Sequence, residues 1–275
     1  MMARMKFSPA LVGVALIACP VVAAAQSAAP PKTIPPLVVS DQTIGVMRQH
    51  QVGAIILPQG KPPFPAVVVL HGCNGISQNT RIWARRLASW GYAALIVDSL
   101  SPRGLRQVCD GSGKLPGPQR AMDAFAGAAY LRSRPDIDGN RIGALGYSHG
   151  GWSALAASWE RSAARAGAPP LRAVVSYYPY CPKVAPPLAN DLLILIGNAD
   201  DWANAALCTA YVDKYGADAP HRPTLKVYQG ARHSFDANFP ERLYFGHRLA
   251  YDPKAAADAI ERTRKFLDEH LSTSR

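Results

Sequence analysis

The chain has 275 residues, 48% of them hydrophobic and 18% charged, a balance that excludes an intrinsically disordered protein and supplies a sizeable core. Its formal charge of +11 raises nucleic-acid binding as an alternative, but the basic residues are scattered and no motif for reading bases occurs, so solubility or attraction of anionic substrates is the simpler reading. Five cysteines without metal-ligand spacing exclude the common zinc modules.

Residues 1–25 read as an export signal. Arg4 and Lys6 begin it, Leu11 to Val22 is mostly apolar, and Ala23-Ala24-Ala25 is a small-residue cleavage site. The apolar run is short for a membrane span and is interrupted by Pro20. Leu16-Ile17-Ala18-Cys19 offers a rival, a lipobox that would leave Cys19 lipidated; Pro20 and the later alanine site favour simple cleavage. Removing Arg4 and Lys6 lowers the charge by two. Residues 26–40 read as a lead-in, rich at first in Ala, Pro and Ser. Residues 41–272 read as one catalytic domain.

Two strands are expected near 43–48 and 52–57. Ala66 to Leu70 is a continuous apolar run, suited to a strand covered on both faces. A helix follows over about 79–90, with Trp83, Leu87 and Trp90 on one side, then a strand from Ala93 to Val97. A polar loop, 100–118, leads to a helix over about 119–133. Residues 142–145 form a short buried strand. Gly146-Tyr147-Ser148-His149-Gly150-Gly151 comes next, and Trp152, Leu155, Ala156 and Trp159 then recur at helical spacing. Strands at 173–178, 192–196 and 224–228 follow. Asp252-Pro253 opens a final helix with an N-cap and a first-turn proline. This alternation predicts an α/β fold, a mostly parallel twisted sheet of about seven or eight strands with helices on both faces.

Ser148 lies on a strand-to-helix turn, where Gly146 and Gly150 leave room for a strained nucleophile. A bare Gly-x-Ser-x-Gly is also an ordinary turn; the flanking strand and helix give it chemical meaning. A serine needs a base, and the base needs a carboxylate. In the order this arrangement requires, the acid is Asp200, with Asp201 as alternative, and the base is His233 after the last strand. Helix capping is the competing role for the aspartates, and a solvated surface position for the histidine. His50, His221, His247 and His270 read as surface residues. The oxyanion donors are the backbone amides of His149 and Cys73, with Asn74 as the alternative to Cys73. After export four cysteines remain, and strand adjacency suggests the pairs Cys73–Cys109 and Cys181–Cys208, although other pairings are open.

His71-Gly72-Cys73-Asn74-Gly75, the Gly146 to Gly151 stretch, Gly197 to Trp202 and Gly230 to Asp236 together resemble the dienelactone hydrolase family of α/β-hydrolases, in an exported branch using serine. The resemblance runs from about Pro62 to Leu271. It implies hydrolysis of a small ester or lactone, the anionic ones included, through an acyl-enzyme and without metal or organic cofactor. It also implies substrate contacts from Tyr147 and from Arg103, whose segment resembles one that grips a substrate carboxylate. Two departures matter. Type members have cysteine where Ser148 stands and glutamate where Gly72 stands, which puts dienelactone itself in doubt as substrate. Acyl transfer, peptide hydrolysis and a non-catalytic exported binding protein are the other readings the sequence leaves open.

Overall fold

The computed structural model describes residues 33–40, 49–111 and 113–272. The expected signal segment, Cys19 and the strand expected near 43–48 lie outside them. Eight strands form one sheet in the order β1-β2-β4-β3-β5-β6-β7-β8. They are β1 (Thr33–Ser40), β2 (Gln49–Ile56), β3 (Phe64–Leu70), β4 (Ala93–Val97), β5 (Ile137–Tyr147), β6 (Ala173–Tyr177), β7 (Asp191–Gly197) and β8 (Thr224–Tyr228). β1 pairs antiparallel with β2, and β2 antiparallel with β4; the remaining pairs are parallel. This is the α/β-hydrolase arrangement.

One correction concerns the lead-in: the last eight residues of the segment 26–40 are β1, registered along β2 from Thr33↔Ile56 to Ser40↔Gln49. Pro35 and Pro36 hid it, since proline cannot donate to a ladder. Both prolines fall within a break in the register, between Ile34 and Leu37, on a strand at the sheet's edge where missing donors are tolerated.

The central strands follow from composition. Ala66 to Leu70 and all of β4 are buried, as continuous apolar runs in a doubly covered sheet must be. β8, at the opposite edge, is only partly buried. Helices α1 (Gln78–Ser89) and α6 (Pro253–Leu271) cover one face, tied together by Arg264 over the Trp90 ring and by Tyr92 Oη donating to Asp268. Helices α2 (Gly117–Arg132) and α3 (His149–Ala157) pack on each other over the other face, with α4 (Glu160–Ala166) beside them. Helix α5 (Ala205–Val212) follows β7. The helix expected to run from the serine through Trp159 ends instead at Ala157. Trp159, buried with its Nε1–H donated to Tyr211 Oη, then caps α4.

The chain steps from β3 outward to β4, then crosses back over β3 to lay β5 on its other side. The order of strand addition reverses between β3 and β5, which run parallel, so the crevice for a ligand lies beyond their carboxyl ends. His71 to Gly75 and Ser148 emerge there. Cys73 is bonded to Cys109 and Cys181 to Cys208, the pairing expected from strand adjacency. Two such bonds fit an oxidising compartment. Among the described residues no helix is long and apolar enough to cross a membrane.

Candidate active site

β5 ends at Tyr147 and the chain turns at once into α3. Ser148 occupies the turn with φ 54° and ψ −119°, backbone angles that cost a non-glycine residue free energy. The surroundings hold it there. Its N–H donates to Tyr177 O at 3.0 Å and its carbonyl accepts from Trp152 N–H at 2.9 Å. A Cβ on residue 146 would fall 2.1 Å from Gly150 O, and one on residue 150 would fall 2.2 Å from Leu70 O. Only glycine permits this crossing of β3, β5 and α3, which explains two of the motif's glycines sterically.

Three distant side chains meet above the sheet. His233 Nε2 lies 2.9 Å from Ser148 Oγ, and His233 Nδ1 lies 2.8 Å from Asp200 Oδ2. The other carboxylate oxygen of Asp200 accepts from the amides of Trp202 and Ala203 at 2.9 and 2.8 Å. The carboxylate is thereby fixed with one oxygen reserved for the imidazole. Holding Nδ1–H against Asp200 leaves the Nε2 lone pair facing the hydroxyl, the tautomer a base requires. Asp201 turns away. It accepts the Arg248 amide and lies 3.4 Å from His247 Nδ1, anchoring the hairpin β9 (Arg242–Tyr244) and β10 (His247–Leu249). Helix α5 is capped by Asn204, not by either aspartate.

His233 sits in a loop with its own staple. Asp236, three residues on and buried, accepts from Trp83 Nε1 at 2.8 Å, from Asn79 Nδ2 at 3.0 Å and from Tyr178 Oη at 2.6 Å. Two of these donors lie on α1 and one follows β6. The rings of Tyr178 and Trp202 stand 4.7 and 5.1 Å from the imidazole. Ser234 takes a positive φ of 61° to make the turn.

On the other side of Ser148, the 71–75 loop follows β3. Cys73 is tied to Cys109, and its carbonyl accepts from Val108 N–H. His71 is fully buried. Its Nε2 accepts from the Ser99 amide at 3.2 Å, so Nδ1 carries the hydrogen and donates to Gly72 O at 2.6 Å. Burial and the Arg120 charge depress its pKa to about 3, so the ring is neutral. Peptide planarity then fixes the next group: with the Gly72 carbonyl turned to His71, the Cys73 N–H points the opposite way. His149, also driven down to about 3 by burial and Arg120, is neutral as well.

A cavity of about 330 Å³ opens over Ser148. Gly72, Cys73, Tyr147, Ser148 and His233 line it, joined by Trp202, Asn238, Phe239, Arg242 and Tyr244. The segment 234–252 thus shapes it. The loop 100–118 does not, although it holds the 71–75 loop through the disulfide. Arg103, expected to face substrate, instead makes a two-pronged pair with Asp123 at 3.0 and 2.8 Å and donates to Ser99 O at 2.7 Å. These contacts are structural. A cation at the cavity, among the described residues, is Arg242, stacked over Phe239 and Tyr244 with its guanidinium carbon 4.4 and 5.5 Å from their centroids. Sequence reasoning missed it, and missed Asp236; both lie in an irregular stretch without periodicity, and an arginine three residues past Phe239 was the only trace. Among the described residues no cluster of His, Cys, Asp and Glu is suited to a metal ion.

A Bradyrhizobium protein named "Probable 2-oxo-3-(5-oxofuran-2-ylidene)propanoate lactonase" is 25% identical over 253 residues, covering 84% of this chain and 94% of its own. The crystal structure of a "Putative Dienelactone Hydrolase" from Klebsiella pneumoniae superposes with a TM-score of 0.68 at 20% identity, covering 86% of this chain and 99% of that one. A dienelactone hydrolase from Anabaena variabilis superposes with a TM-score of 0.58 at 19% identity, over 88% of this chain and all of that one. The family model described as "Dienelactone hydrolase family" matches residues 52–271, and the chain belongs to that family.

Proposed function

We propose that this carboxylic ester hydrolase is an exported enzyme that cleaves small esters or lactones through an acyl-enzyme on Ser148. His233 takes the hydroxyl proton as Ser148 Oγ attacks the carbonyl carbon. Asp200 holds the imidazole tautomer and stabilises the imidazolium. The amides of Cys73 and His149 receive the oxyanion. The tetrahedral intermediate collapses by expelling the alcohol oxygen, which His233 protonates; in a lactone that alcohol stays attached to the acyl group. Water, deprotonated by His233, then attacks the acyl carbonyl and frees Ser148. The observation that carries this reading is the pair of contacts at His233, 2.9 Å to Ser148 and 2.8 Å to Asp200.

The cavity volume favours a small acyl group, and Arg242 at its wall favours an anionic one. The propanoate lactone in the name of the Bradyrhizobium relative agrees with both. Residues 1–25 serve as the leader, with cleavage near Ala25 in preference to lipidation at Cys19; the two disulfides agree with export. N-terminal sequencing of the exported protein distinguishes the two.

Short p-nitrophenyl esters and a fluorophosphonate probe test the chemistry. Turnover and labelling at Ser148 are expected, both abolished in Ser148→Ala, with kcat falling about 10⁴- to 10⁶-fold. A folded wild type that shows neither turnover nor labelling would favour a binding protein. Arg242→Ala should raise KM about tenfold for a carboxylate-bearing ester and leave a neutral one of equal size within twofold. Equal effects on both esters would remove the anionic preference.

A further inference from the structure

Helix α2 sends one arginine into the space behind the nucleophile. Arg120 is 0% exposed, and among the described residues no carboxylate forms an ion pair with it. The nearby Asp123 is engaged by Arg103 instead. Burial brings the guanidinium pKa down to about 10, so it is still charged at neutral pH. A buried cation without a direct counter-ion is costly. What it touches suggests why it is kept.

The two arms of the guanidinium reach two different chain segments. Arg120 Nη2–H donates to the His71 carbonyl at 2.8 Å, and Nη1–H donates to His149 Nδ1 at 2.9 Å. A guanidinium can only donate, so His149 Nδ1 must be the bare nitrogen and its hydrogen sits on Nε2. The His149 ring also has a hydrogen bond with the backbone of Leu115. His71 and His149 belong to the segments that carry the two oxyanion amides. His71 further sets the aim of the Cys73 N–H through its bond to Gly72 O. Residue 150 lies against the same carbonyl: a Cβ there would fall 2.4 Å from His71 O.

We propose that Arg120 is the positioning residue of the oxyanion hole: one buried guanidinium clamps the loop after β3 to the first residue of α3, so that the amides of Cys73 and His149 are held at a fixed separation. Its charge, held against both of these segments, adds to the field that favours an anion there. This inference rests on the catalytic reading of Ser148. A lysine retains the charge but not the planar fork that spans two acceptors.

The test compares wild type, Arg120→Lys, Arg120→Met and, as control, Arg132→Met, which removes an arginine of the same helix that donates to carbonyls of Gly139, Pro169 and Pro170. Readouts are kcat and KM on a short ester, the affinity of a boronic acid that forms a tetrahedral adduct on Ser148, and Tm. Arg120→Lys should lose about 30- to 300-fold in kcat, near the cost of one oxyanion donor. KM should stay within twofold, and the boronic acid should weaken by the same factor as kcat; Arg132→Met should match wild type in all three. A folded Arg120→Lys with kcat within threefold of wild type overturns the proposal, as does a loss confined to KM. If neither Arg120 variant folds, His149→Leu decides, because it keeps the amide and removes the acceptor. A fall of about tenfold in kcat at constant KM supports the clamp, and an unchanged kcat overturns it. A wild type that neither turns over nor labels would sink the catalytic reading and this inference with it; an active wild type with a fully active Arg120→Lys sinks this inference alone.

Discussion

The two flanks of Ser148 are built with opposite electrostatics. On the flank of β7 and β8, buried carboxylates dominate: Asp200 behind His233, and Asp236 binding the same loop to Trp83, Asn79 and Tyr178. On the flank of β3 and β5, a buried guanidinium and two neutral histidines hold the backbone amides. In the proposed mechanism, ester attack creates a positive imidazolium on the first flank and a negative oxygen on the second. Each flank therefore carries the sign that stabilises the charge formed beside it, and carries it before substrate arrives, where no reorganisation is needed. The flanks also differ in how they are tied down. The carboxylate flank hangs on side-chain hydrogen bonds from loops near the sheet edge. The amide flank rests on central strands, close glycine crossings and a disulfide.

That contrast is broken most sharply at Asp200. Asp200→Asn should lower kcat about 10⁴-fold, because the amide favours the wrong imidazole tautomer. Asp201→Asn should change kcat by less than threefold, since Asp201 only anchors the hairpin. Comparable losses in the two variants would mean that the aspartates share the task.

Asp236 tests whether the hydrogen-bonded flank is as firm as the other. Asp236→Asn retains the size but replaces an acceptor-only group that serves three donors. One amide hydrogen would face a donor, at a cost of about 1–3 kcal/mol. For a domain of this size that is a fall in Tm of about 2–12 °C. His233 rides on the same loop, so kcat should fall about tenfold as the imidazole drifts from Ser148. A lowered Tm with unchanged kcat would show that the staple serves the fold and not the base.

The amide flank was the more legible in sequence. Gly-x-Ser-x-Gly and the apolar run before His71 are short-range patterns whose meaning is steric, and steric demands are written in neighbouring residues. The order of Ser148, Asp200 and His233 was readable for a similar reason: each follows a strand within a few residues, and strands announce themselves by composition. What supports these residues was not readable. Arg120 lies on a small-residue helix with no marked polar face, and only its depth in the fold distinguishes it from the surface arginines. Asp236 and Arg242 take their roles from partners more than a hundred residues away or from an irregular loop. Arg103 misled because its segment resembles a substrate grip while Asp123, twenty residues on, captures its guanidinium.

The smallest effect concerns pH and stability, and it sharpens the contrast from the amide flank. His71 and His149 are neutral in the fold, with pKa near 3, whereas in the unfolded chain each titrates near 6.5. Between those values the unfolded state binds more protons, so stability is full above about pH 6.5 and is lost as pH falls toward 3. At pH 5.5, one unit below the unfolded value, each histidine costs about 1.4 kcal/mol of stability. Carboxylates on the other flank titrate in the unfolded chain near 4 and contribute little yet at that pH. Urea midpoints at pH 7.5 and 5.5 should therefore differ, and His149→Leu should shrink the difference by about 1.4 kcal/mol while leaving the slope with urea unchanged. An undiminished difference in that variant would mean that His149 takes up its proton in the folded state beside Arg120, which would place the guanidinium farther from the ring than 2.9 Å and loosen the clamp argued for the oxyanion hole.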